Sequence, residues 1–90
     1  MITDLACVFD SRKSFYGKAR LQIDCDEITL FSYGTAICKI NVVTNQLTRL
    51  YDGYTLTTWR HIKEFFKQFS VNIETLTEWN NIPLNKAIKF

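Results

Sequence analysis

The apolar positions of this chain change their period once, from two residues to about 3.6, at the Asp52-Gly53 dipeptide. Before it, Leu5-Ala6-Cys7-Val8-Phe9 is a short apolar run suited to a strand, and the polar stretch Asp10–Ser14 reads as a loop. Ala19, Leu21, Ile23 and Cys25 then alternate with Lys18, Arg20, Gln22 and Asp24, which is the mark of a half-buried strand. Asp24-Cys25-Asp26-Glu27 contains a turn into a strand at Ile28–Tyr33. Tyr33-Gly34-Thr35 interrupts that run, and its glycine predicts a bulge or a positive-φ residue. Alternation resumes through Ala36, Cys38, Ile40 and Val42. A turn at Thr44-Asn45-Gln46 leads into a shorter strand, Leu47–Tyr51, and Asp52-Gly53 closes the sheet region.

After that point Trp59, Ile62, Phe65, Phe66 and Phe69 fall at i, i+3, i+6, i+7 and i+10, one stripe of an amphipathic helix over 57–69. Thr57 or Thr58 is the expected N-cap. The opposite face carries Arg60, His61, Lys63, Glu64, Lys67 and Gln68, with Arg60 and Glu64 spaced for an i, i+4 pair. Thr75-Leu76-Thr77-Glu78 fits a capping box for a short helical turn that Pro83 ends, and Leu76, Trp79 and Leu84 are the residues expected to dock this tail. Strands first and helix last, with short turns between strands, predict an α+β fold. It is an antiparallel β-meander of four to five strands, followed by one amphipathic helix and a short C-terminal helical turn. The expected layout is a single domain over 1–90, with the sheet in 5–56, the helix in 57–69 and a tail in 70–90.

Composition agrees with a packed domain. Apolar residues are 47% of the chain and aromatics 14%, enough to fill a core without metal or disulfide staples. A net charge of +2 with 22% charged residues indicates neither disorder nor a strongly polyanion-seeking protein. Cys7, Cys25 and Cys38 are odd in number, lack zinc-knuckle or CxxC spacing and sit in apolar stretches. Buried, reduced thiols are therefore expected, and with them a reducing compartment. The N-terminus has no basic region followed by an apolar run, and no stretch approaches a membrane span, so a cytoplasmic protein without signal peptide or membrane contact is expected.

Candidate chemistry is sparse. There is no Gly-rich phosphate loop, His/Cys cluster or Gly-x-Ser-x-Gly elbow, and the lone His61 reads as a solvated residue of the helix's polar face. Asp24, Asp26 and Glu27 suit a hairpin turn better than a cation site. No cofactor or metal is expected, and a non-enzymatic role is. Two features suit binding. In Arg12–Arg20, the cations Arg12, Lys13, Lys18 and Arg20 surround Phe15 and Tyr16 with no acid among them. Such a segment can pair phosphates while Tyr16 stacks on a base, or face an acidic protein surface. The plainer reading makes Lys18 and Arg20 the solvent side of a strand and Phe15 core. The second feature is Arg60, Lys63 and Lys67 along one side of the helix, although Glu64 sits within that stripe.

The segments Ser11–Ala19, Ser32-Tyr33-Gly34-Thr35, Leu50–Thr55 and Thr57–Phe65, with the closing Glu78-Trp79 and Ile82-Pro83-Leu84, carry a resemblance. Across about residues 11–84 the chain resembles small proteins of unknown function encoded by bacteriophages and mobile elements of Firmicutes and related gut bacteria. Members of that group often have Asn at the position of Gly34 and a Gly/Lys-rich link where Ser70–Thr77 stands here. The resemblance implies a genetic setting in which small proteins without catalytic groups commonly bind host machinery one to one, inhibition of a host defence system such as a CRISPR nuclease being one such role. The expectation is thus a stoichiometric binder of a host protein, or of a protein–nucleic-acid complex, in the bacterial cytoplasm. Its expected contacts are Arg12, Lys13, Tyr16, Lys18 and Arg20, with Arg60, Lys63 and Lys67 as a second patch. The alternative is a nucleic-acid-binding accessory protein using the same cations, and a third reading is a homodimer formed through a strand edge.

Overall fold

A computed structural model describes residues 1–11, 14–53 and 55–90. Its elements are β1 (Ile2–Asp4), β2 (Ala19–Asp24), β3 (Glu27–Ser32), β4 (Thr35–Asn41), β5 (Gln46–Arg49), α1 (Leu56–Gln68), α2 (Leu76–Asn80) and β6 (Ala87–Lys89). The strands form one antiparallel sheet in chain order, so the expected meander is present, with six strands rather than four to five. Each added strand is an edge of three residues, short enough to offer little template for further pairing.

The pairing register sorts the side chains into two faces. One face carries the rows Thr3–Leu21–Leu30–Cys38–Arg49 and Ile23–Ile28–Ile40–Leu47–Ile88, and α1 packs against it. The other carries Asp4–Arg20–Phe31–Ala36 and Ile2–Gln22–Thr29–Lys39–Thr48–Ala87, and no helix covers it among the described residues. A bulge between the Leu30 and Phe31 pairings leaves Ile37 as the extra residue of β4, so that Ile37 and Cys38 are both buried despite being adjacent. Simple alternation expects only Cys38. The carbonyl of Ile37 accepts from the N–H groups of Leu50 and Tyr51, which turns the chain out of β5.

α1 begins one residue earlier than expected, and its N-cap is Thr55, not Thr57 or Thr58: the Thr55 hydroxyl accepts from the Thr58 N–H at 3.1 Å. Ile62, Phe65 and Phe66 are fully buried, and Trp59 and Phe69 pack at the core's margin. Each buried aromatic or aliphatic side chain is worth about 1.5–3 kcal/mol. The tail docks through Trp79, whose ring lies 6.0 Å from that of Phe66, whereas Leu84 is exposed. Thr75 caps α2, accepting from the Glu78 N–H at 3.2 Å while its hydroxyl donates to Glu78 Oε1 at 3.1 Å.

Further expectations are overturned. The apolar run at residues 5–9 is not a strand. The ladder with β2 ends at the Leu5 N–H, which donates to the Ala19 carbonyl, and the chain then crosses α1. There Glu64 Oε1 accepts from the backbone N–H groups of Val8, Phe9 and Asp10 at 3.1, 2.9 and 2.7 Å, and Gln68 Nε2 donates to the Ala6 carbonyl at 2.7 Å. Glu64 is accordingly buried, at 2% exposure, instead of solvated, and Arg60 pairs with Asp10 (Nε to Oδ2, 3.8 Å) instead of with Glu64. His61 is buried at 1% exposure, its Nδ1 2.8 Å from Ser32 Oγ. Of the three cysteines Cys38 is buried, but Cys7 is partly so and Cys25 is exposed in the β2–β3 turn at φ +53. Burial pushes the Cys38 thiol's pKa far up.

Arg49 closes the fold in a way no pattern announces. It lies on the core face of β5, 5% exposed, with its guanidinium carbon 4.8 Å from the Trp79 ring centroid. Its NH1 group donates to the carbonyls of Trp79, Asn80 and Ile82 at 3.1–3.3 Å, and Nε donates to Tyr51 O at 2.9 Å. The Trp79 and Asn80 carbonyls lie at the C-terminal end of α2 and that of Ile82 just beyond it, so one guanidinium ties the tail to the sheet.

Candidate functional site

Two tight turns shape the end of the sheet where the candidate residues gather. Tyr16 and Gly17 lie at φ +53 and +75, and the Lys18 N–H donates to the Phe15 carbonyl at 2.9 Å across them. Tyr33 and Gly34 lie at φ +52 and +81 in the two-residue β3–β4 hairpin, closed by Ser32 and Thr35. Positive φ at both central positions is the type I′ geometry, which turns with the native twist of the strands. Glycine suits the second position of each; a tyrosine at the first is unusual, because its Cβ crowds the backbone there. The Tyr33 N–H donates to the Lys18 carbonyl at 2.8 Å, which holds the two turns side by side. Both rings stay in solvent, Tyr16 at 75% exposure and Tyr33 at 56%.

Three adjoining hollows run from this end of the sheet along α1. The first, about 550 Å³ on the uncovered sheet face, is lined by Ile2, Lys18, Arg20, Gln22, Phe31 and Tyr33. The second, about 200 Å³, has Tyr16, Lys18, Tyr33 and Arg60 around it and His61 among its lining. The third, about 190 Å³, lies between Phe9, Asp10 and Ser11 and the helix residues Arg60, Lys63 and Lys67. Lys18 and Tyr33 belong to the first two, and Arg60 to the second and third. The two patches of the sequence, far apart along the chain, therefore make one strip.

Of the expected contacts, the strip contains Tyr16, Lys18, Arg20, Arg60, Lys63 and Lys67; Arg12 and Lys13 lie outside the described residues. Arg20 pairs with Asp4 at 3.5 Å, with both side chains well exposed, and Lys18 Nζ lies 5.9 Å from the Tyr33 ring centroid. Among the described residues Lys63 and Lys67 are in no ion pair. Tyr33, Phe31 and Phe9 also belong to this surface and were not expected there. For Tyr33 a signal exists, the repeat of Tyr-Gly at 16–17 and 33–34.

Beneath the strip runs a hydroxyl chain. Thr55 Oγ1 donates to Thr58 Oγ1 at 3.1 Å, which lies 3.3 Å from Ser32 Oγ, which in turn is 2.8 Å from His61 Nδ1. The Phe15 ring meets the imidazole edge-on at 4.5 Å, and the Tyr33 ring lies 5.8 Å away. Ser32 and His61 have the spacing of a nucleophile and a base, but Ser32 is 2% exposed and its hydroxyl is already shared between Thr58 and His61. The arrangement braces α1 against β3.

A family model described as "Family of unknown function (DUF8033)" matches residues 3–81. The chain belongs to that family. The matched span includes both Tyr-Gly turns, all of α1 and α2, and every candidate contact; β6 lies beyond it. Searches of curated proteins and of solved structures return no match. No helix among the described residues is long and apolar enough to cross a membrane.

Proposed function

We propose that the chain is a non-enzymatic binding protein that acts one to one on a host protein, docking an acidic surface against the α1 half of the strip. The observation that carries this reading is the company of Lys63 and Lys67. Among the described residues both cations stand in no ion pair, beside Arg60 and the loop that exposes Val8 and Phe9. Apolar side chains bordered by cations that attract carboxylates are the make-up of a protein-docking surface. The buried state of Ser32 and His61 favours binding over catalysis. The resemblance to bacteriophage and mobile-element proteins supports a partner in the bacterial host, and inhibition of a defence system, such as a CRISPR nuclease, is its most concrete form. A nucleic-acid-binding accessory role is the second reading, favoured by the exposed rings of Tyr16 and Tyr33 beside Lys18.

Affinity capture from a host lysate tests the leading reading, using wild type and the double variant Lys63→Glu/Lys67→Glu. The wild type should retain a partner in fixed stoichiometry, and the charge-reversed protein should lose it. Failure of the wild type to retain any partner sinks the function; equal retention by the variant sinks the surface.

A further inference from the structure

The corner of the sheet at the β2–β3 end of the strip, away from the hollow that holds Lys63 and Lys67, has a different character. Its hollow is lined by Arg20, Lys18, Gln22, Phe31, Tyr33 and Ile2, and no carboxylate contributes to the lining. The register explains the grouping: Arg20 and Phe31 are cross-strand partners, as are Gln22 and Ile2, and all four side chains belong to the uncovered face. Tyr33 stands on the boundary with the second hollow, which also lacks a carboxylate in its lining.

We propose that this corner binds single-stranded nucleic acid. A base stacks against Tyr33 beside Phe31, the flanking phosphates lie on Lys18 and Arg20, and the strand passes over Tyr33 toward Tyr16 and Arg60. The proposal rests on the second, nucleic-acid reading above, and it is centred on the sheet corner rather than on Lys63 and Lys67, sharing only Arg60 with the protein-docking surface. Three observations support it. The cations and rings alternate at short range, Lys18 Nζ being 5.9 Å from the centroid of the Tyr33 ring, and stacking with phosphate pairing on neighbouring groups is how unpaired strands are held. The open end of the sheet places Phe31 and Tyr33 in the lining of one hollow, where an unpaired base can reach a ring and a duplex, with its bases already stacked, cannot. Finally, Tyr16 and Tyr33 both occupy left-handed positions that Asn or Gly would fill with less strain, so turn geometry does not account for the two exposed rings. The Arg20–Asp4 pair is exposed and weak, and a phosphate can take the place of Asp4.

Fluorescence anisotropy with a labelled short oligothymidylate, the matching oligouridylate, a duplex and heparin tests this on the full chain. Single strands should bind at low salt, better than the duplex, with affinity falling as salt rises. Tyr33→Ala should weaken binding about tenfold or more, in line with the loss of one stacked base. Tyr33→Phe should keep most of the affinity, which separates the ring's role from any effect on folding. Lys18→Ala should reduce the slope of log affinity against log salt by about 0.7, and Lys39→Ala, on the same face but paired with Glu27, should change neither. The proposal is overturned by absence of oligonucleotide binding at low salt, by wild-type affinity in Tyr33→Ala, or by duplex and heparin binding as well as the single strand. Lys63→Glu/Lys67→Glu should lose less oligonucleotide affinity than Tyr33→Ala does. Failure here together with intact, charge-dependent partner capture removes the nucleic-acid site and leaves the host-protein reading standing.

Discussion

Replacing Glu64 by Ala removes the carboxylate that accepts from the backbone of residues 8–10 over α1. Glu64 Oε1 takes three N–H groups at 3.1, 2.9 and 2.7 Å, and Oε2 accepts from Gln68 Nε2 at 2.8 Å. A hydrogen bond to a charged group contributes about 1.5–3 kcal/mol net. Three donors sharing one oxygen are not additive, and water can reach the N–H groups of the exposed Val8 and Phe9 once the carboxylate is gone. The combined loss is then about 3 kcal/mol, a large part of the roughly 5–15 kcal/mol that holds a domain together. For a chain of this length each kcal/mol moves Tm by about 4–8 °C, so Glu64→Ala should melt about 12–24 °C lower. Glu64→Gln, which keeps an acceptor oxygen but not the charge, should fall between. Thermal melts followed by circular dichroism, with denaturant titrations for the free energy, measure both. Hydrogen exchange at Val8, Phe9 and Asp10 should accelerate in the same variant. The competing account is a solvated Glu64 paired with Arg60, whose loss costs a few tenths of a kcal/mol. A drop in Tm of less than about 4 °C, with unchanged exchange at residues 8–10, would refute the carboxylate latch.

Arg49→Ala should cost about 2–4 kcal/mol in denaturant unfolding, because the carbonyls of Trp79, Asn80 and Ile82 lose its charged donor, and Arg49→Lys should recover little of it since an ammonium lacks the fork. Thr55→Ala removes both the α1 cap and the head of the hydroxyl chain, and should lower stability by about 1 kcal/mol. With a thiol-reactive chromophore, Cys25 should react in the native protein, whereas Cys38 should react only on unfolding. The raised pKa of Cys38 also sets a sign: above about pH 8.5 the unfolded chain releases a proton that the fold retains, so stability should fall with rising pH, by up to about 1.4 kcal/mol per unit, and Cys38→Ala should lack this contribution.

Much of the architecture was readable from local pattern, because its causes are local. Alternation along β2 to β5, the stripe of Ile62, Phe65 and Phe66, the positive φ of Gly34 and the Thr75–Glu78 cap each depend on residues a few positions apart. Where the pattern misled, the decisive partner was distant. Glu64 and His61 fall on the polar side of a helical wheel, and their burial depends on the amides of residues 8–10 and on Ser32, respectively. Arg49 falls on the apolar side of its strand, a placement made tolerable by the carbonyls of Tyr51, Trp79, Asn80 and Ile82. Apolar residues 5–9 suit a strand by composition, yet Ile2–Asp4 takes the place beside β2.

The candidate site divides in the same way. The sequence by itself determined its ingredients, the cations of Arg12–Arg20 and of α1 together with Tyr16, since residue type and spacing state where charge and rings are available. Arg12 and Lys13 lie outside the described residues, so their part rests on the sequence alone. Only the tertiary structure decided that Lys18 and Arg60 share a hollow, that Asp10 and Asp4 pair with Arg60 and Arg20, and that Lys63 and Lys67 keep no carboxylate partner among the described residues. The reason is physical: one-dimensional spacing ranks charges by sign, while the field a partner meets depends on which opposite charges the fold brings within ion-pair distance.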